Sequence, residues 1–117
     1  MPHVVLNGNV MVEDVFSKFE SLFIRDGSRI LRTLDVFLER GGGSFLVECL
    51  VVDGSFKASF LAMVSGREDG VVVRLYPKVE VEKTSSVKQV LAEIAKQLLA
   101  AFPELKLGET NLQDYLR

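Results

Sequence analysis

Four stretches of the chain, residues 29–39, 44–52, 55–65 and 71–82, read as strands bounded by turn signals, and both of their alternating sets are apolar. An antiparallel sheet usually turns one apolar face to the core and one polar face to water, so this pattern leaves an apolar surface to be covered. Asp53-Gly54 is a two-residue hairpin signal; it pairs Val51 with Phe56, Cys49 with Ala58 and Val47 with Phe60. One face then holds Phe45, Val47, Cys49, Val51, Phe56, Ala58, Phe60 and Ala62. A loop at 66–69 adds Val71, Val73, Leu75 and Val79 to that face, and a loop at 40–43 adds Leu34, Val36 and Leu38, with Arg32 in the same parity. The opposite face carries an apolar centre of Phe37, Leu46, Leu50, Leu61, Met63 and Val72. Thr33, Asp35, Glu39, Glu48, Lys57, Arg74, Tyr76 and Lys78 share it, charges mostly toward its ends.

Helical spacing flanks this meander. Val12, Val15, Phe16, Phe19 and Phe23 fall on one face of a helix starting near Val10, with Asn9 as N-cap, an Asp14–Lys18 pair and a stop at Gly27. Ser86 and Gln89 form an S-x-x-Q capping box that opens a second helix, with Val87, Leu91, Ile94, Leu98 and Phe102 as its core stripe. Val90, Ala95, Leu99 and Ala101 widen that stripe beyond a one-sided helix, and Pro103 ends it. His3–Leu6 reads as a short strand, and Leu105, Leu107, Leu112, Tyr115 and Leu116 as a tail that packs back in a short turn of helix. The expectation is a single α+β domain over residues 1–117. It has two layers, a four-stranded antiparallel meander plus a short N-terminal strand packed on two helices, in β-α-β-β-β-β-α order.

Composition sharpens the question of what covers the second face. Hydrophobic residues make up 48% of 117, and a mean hydropathy of +0.24 is high for a domain with so much surface to solvate. That excess favours self-association, a dimer being the simplest case, over a lone monomer. The formal net charge of −2 lacks the concentrated basic surface that phosphate neutralisation demands. Phe37, Tyr76, Arg74, Lys57 and Lys78 make only a thin version of a nucleic-acid platform. A single cysteine excludes an internal disulfide and suits a reducing compartment. The N-terminal residues lack the basic and apolar regions of a signal peptide, and no stretch approaches eighteen apolar residues, the span of a membrane helix. A cytoplasmic protein without membrane contact is expected.

The chemistry-bearing residues are sparse. One histidine, His3, and one cysteine, Cys49, make no cluster of soft metal ligands, and no cofactor is called for. Cys49 beside Ala58 reads as a small core hydrophobe rather than a nucleophile. Gly41-Gly42-Gly43 lies between two strands, whereas a phosphate loop joins a strand to a helix. Asp35 and Glu48 fall across from each other on the second face, with Arg74 and Tyr76 two strands away. Adjacent carboxylates can share a proton, the basis of general-acid chemistry, but solvated surface charges are the simpler reading. Two functions follow as expectations. The first is a non-enzymatic assembly domain that dimerises, or meets a protein partner, through the second sheet face. The second is a small apolar-ligand pocket, or an enzyme, between sheet and helices, with Arg32 as its only inward polar group.

Overall fold

A computed structural model describes residues 1–117. The elements run β1 (His3–Asn7), α1 (Val12–Lys18), β2 (Phe23–Asp26), β3 (Arg29–Leu38), β4 (Ser44–Asp53), β5 (Phe56–Arg67), β6 (Gly70–Leu75), α2 (Ser85–Ala101) and β7 (Lys106–Thr110), with a 3₁₀ turn at Gln113–Tyr115. The strands form one seven-stranded antiparallel sheet in the order β2-β3-β4-β5-β6-β1-β7, curled into a half-barrel. This corrects the expected four-stranded meander with one added strand. The β3–β6 meander is there, but β2 extends one side and β1 and β7 extend the other.

Both additional strands come from segments whose sequence pattern imitates a helix. Phe23 follows Phe19 at helical spacing, yet the helix ends at Lys18 and Phe19 is already extended. Gly27 adopts a positive φ of 62° in the turn joining Asp26 to its partner Arg29, so it closes a hairpin rather than a helix. Lys18 makes no pair with Asp14; its ammonium lies 5.2 Å from the centre of the Phe102 ring. The N-cap position falls on Met11, which offers no capping side chain, not on Asn9. In the tail, Leu105 and Leu112 are buried at either end of β7, which pairs with β1. Thus the N-terminal strand joins its own sheet, between β6 and β7.

Within the meander the hairpin registers move by two residues. Asp53 pairs with Phe56 and Val51 with Ala58, and Arg67 pairs with Gly70 across the next turn. A shift of two preserves which face each side chain takes, so Phe45, Val47, Cys49, Val51, Ala62, Val71 and Val73 all reach the core at 0% exposure. Strand β3 departs more. A bulge between Thr33 and Val36 sets Leu34 and Asp35 against Glu48. Before the bulge Leu31 and Thr33 face inward opposite Val51 and Cys49; after it Val36 and Leu38 do, opposite Val47 and Phe45. Uninterrupted alternation would have buried the Arg32 guanidinium in the core, at a cost of several kcal/mol for an unpaired charge. The extra residue turns Arg32 to the outer face and brings in Thr33, whose hydroxyl accepts from the Leu22 amide at 2.8 Å. The fourth meander strand stops at Leu75, because Pro77 has no amide to continue the ladder; Val79 is therefore 41% exposed and outside the core.

Helix α2 lies against the inner face, touching β1, β3, β4 and β6. That wrapping explains its broad apolar arc: Val90 and Ala95 are buried beside Val87, Leu91, Ile94 and Leu98. The N-cap is Thr84, whose hydroxyl accepts from the Val87 amide at 3.3 Å. Ser86 instead donates to the Asp53 carboxylate at 2.7 Å, tying the helix start to the β4–β5 turn, and Gln89 bonds Glu93 and the Tyr115 carbonyl. One contiguous cluster of 24 buried residues unites the inner faces of the sheet with both helices.

Candidate functional site: the outer face of the sheet

The registers lay the outer face out row by row. Phe37, Leu46, Met63, Arg74 and His3 form one row across β3, β4, β5, β6 and β1. The row beside it runs from the β3 bulge at Asp35 through Glu48 to Leu61, whose carbonyl accepts from the Tyr76 amide at 2.9 Å. A third row holds Phe23, Arg32, Leu50 and Ser59, and a fourth Arg25, Ile30, Val52 and Lys57. On the other flank, Ser65, Val72 and Val5 align. All six apolar residues expected on this face are on it.

Their exposure is uneven. Phe37 is 53% exposed, while Leu46, Leu50, Leu61 and Val72 are half-buried. Met63, at 9%, forms the floor of a groove of about 420 Å³ that Phe37, Leu46, Tyr76 and Lys78 help to line. A second groove, about 450 Å³, opens at the β3 bulge among Phe23, Arg32, Leu34, Asp35 and Glu48. Sequence reading placed Thr33 here, but it is interior. It missed Phe23, Ile30, Arg32 and Val5. Arg32 was detectable in principle, since the burial cost of an inward arginine is itself a signal for a bulge.

The charges here are largely unsatisfied. The ion pairs of the molecule join His3 to Glu109, Arg29 to Asp26, Arg67 to Asp69, Lys96 to Glu93 and Arg117 to Asp114; none includes Asp35, Glu48, Arg32 or Arg74. Glu48 receives only a 3.5 Å contact from the Asp35 backbone amide. The Nε atoms of Arg32 and Arg74 are buried without a hydrogen-bond partner, and the Arg32 guanidinium lies 5.7 Å from the Phe23 ring centre. The contact between Asp35 and Glu48 runs through the Asp35 backbone amide at the bulge, where Leu34 and Asp35 together oppose Glu48. Arg74 and Tyr76 stand on the far side of β5 from them.

The inner layer is chemically quiet. Cys49 is fully buried with its thiol against the Val47 carbonyl at 3.4 Å, and His3 lies on the opposite face of the sheet. The crevice between β2, β3 and α2, lined by Leu22, Ile24, Leu31 and Val90, holds essentially no free volume, about 0 Å³. No three His, Cys, Asp or Glu side chains gather where they could share a metal ion. No helix is long and apolar enough to cross a membrane. No protein-family model, curated protein or solved structure matches the chain.

Proposed function

We propose that this protein is a cytoplasmic assembly module whose outer sheet face binds a second copy of the chain. The observation that carries the reading is the apolar centre Phe37–Leu46–Leu50–Leu61, open to solvent on a sheet whose inner face is already filled. Interfaces combine such an apolar centre with a polar rim, here supplied by Arg25, Lys57, His3 and Lys78. A symmetric dimer uses one patch twice, so the patch need only complement itself. The reduced, buried Cys49 suits the cytoplasm. The closed crevice beneath β2 and β3 lends no support to a ligand cavity there.

Leu61 lies on β5, the middle strand of the sheet, with its side chain outward and half-buried. Leu61→Glu places a charge at the centre of the interface while leaving the inner core untouched. Sedimentation velocity is expected to show a dimer for the natural chain and a folded monomer for the variant. A variant that stays dimeric removes the outer face as the contact surface.

A further inference from the structure

Glu48 and Arg74 stand on the outer face with one strand between them, and that spacing prescribes how two copies fit. Glu48 on β4 pairs across to Leu61 of β5, whereas Arg74 on β6 pairs to Met63 of β5. Within one chain the two charged residues flank β5 at two strand spacings, about 10 Å, and no ion pair joins them. A two-fold axis lying in the interface along β5 exchanges β4 with β6. It carries Glu48 of one copy over the partner copy's β6, in line with Tyr76 and two residues, or about 7 Å, from Arg74. An arginine side chain spans that offset.

Resting on the self-association reading above, we infer that the two copies meet along β5, with Glu48 of each received by Arg74 and Tyr76 of the other. Two observations converge on this arrangement. The Arg74 guanidinium takes part in no ion pair within the chain, and the Glu48 carboxylate has only one long backbone contact. Each is an unfilled half of a charge-assisted contact, and the same axis fills both of them twice. It also sets Leu61 against its own copy, and Phe37 on β3 over His3 on the partner's β1, because exchange about β5 maps the third strand onto the first. Glu48, Arg74 and Tyr76, three of the four polar residues that look like a weak catalytic cluster in sequence, become the two halves of one reciprocal contact.

The test is a charge exchange read by sedimentation equilibrium, with circular dichroism confirming that every variant is folded. Glu48→Arg and Arg74→Glu each place like charges in both contacts and should weaken dimerisation at least about tenfold. The double variant in one chain, and a one-to-one mixture of the two single variants, each restore both opposite-charge contacts. Both should return to within about threefold of the natural affinity, the residual being imperfect geometry. Single variants that dimerise normally, or weakened variants that neither exchange restores, overturn the Glu48–Arg74 pairing while the natural chain's dimer keeps the assembly reading intact. A natural chain that is monomeric throughout the concentration range overturns both.

Discussion

At the scale of single residues, burial decides what Cys49 does. Desolvation pushes its thiol up from the ordinary 9.0 to about 12, outweighing the opposing hydrogen bond with the Ala62 backbone; the Glu48 charge adds a smaller upward push. The unfolded chain releases this proton near 9.0 and the folded chain only near 12. The thiol's contribution to stability is therefore complete below pH 9 and is lost as pH rises from 9 through about 12. Between pH 8 and pH 10 the natural chain should lose about 1.4 kcal/mol through this group. Cys49→Ala removes that loss, although the smaller side chain lowers stability at both pH values. Urea unfolding at the two pH values checks the difference. Cysteine in a strand of alternating apolar residues is legible as core from sequence, because the parity of Phe45, Val47 and Val51 assigns its face whichever way the neighbouring hairpin slips by two.

At the scale of elements, the start of α2 shows a motif with the right letters and a different job. Thr84 caps the helix, while Ser86, the second helical residue, reaches Asp53 across the fold. Thr84→Ala should cost about 1 kcal/mol, as a lost N-cap does, and should add independently to Asp53→Ala. Ser86→Ala and Asp53→Ala share one hydrogen bond, so their double-mutant cycle should show a coupling of about 1 kcal/mol. Denaturant unfolding of the single and double variants measures both. The elements that sequence reading recovered, the meander strands and α2, have long periodic stretches whose alternation survives a two-residue slip. Those it lost are short. Phe23–Asp26 and Lys106–Thr110 are four and five residues long, and each is extended because a neighbouring strand supplies its hydrogen bonds. Phe23–Asp26 opens on two adjacent apolar residues and Lys106–Thr110 holds one, Leu107, so neither strand contains a period-two signal of its own. The β3 bulge was hidden for another reason: Leu34, Val36 and Leu38 alternate perfectly, and only the energetic cost of following that alternation back to Arg32 argues against it.

At the scale of the whole molecule, β4 shows why the outer face was visible without a structure. Its side chains alternate between the buried Phe45, Val47, Cys49 and Val51 and the half-buried Leu46, Glu48, Leu50 and Val52, so burial alternates although polarity hardly does. The consecutive hairpins of the meander already put one strand between Glu48 and Arg74; the structure adds which β5 residues lie between them, Leu61 paired to Glu48 and Met63 paired to Arg74. If that face is closed by a second copy, unfolding and dissociation are coupled, and thermal stability must depend on protein concentration. A two-state dimer of 117-residue chains gains about 1.4 kcal/mol per tenfold concentration. Divided by an unfolding entropy of about 2.1 cal/mol/K per residue over both chains, this raises Tm by about 3 °C for each tenfold step. Scanning calorimetry across a hundredfold dilution should therefore show a rise of about 6 °C for the natural chain. For Leu61→Glu, Tm should be lower and independent of concentration. A natural chain whose Tm does not move with concentration would mean that the outer face faces water, and that the excess of apolar residues there contributes nothing to the folded state's stability.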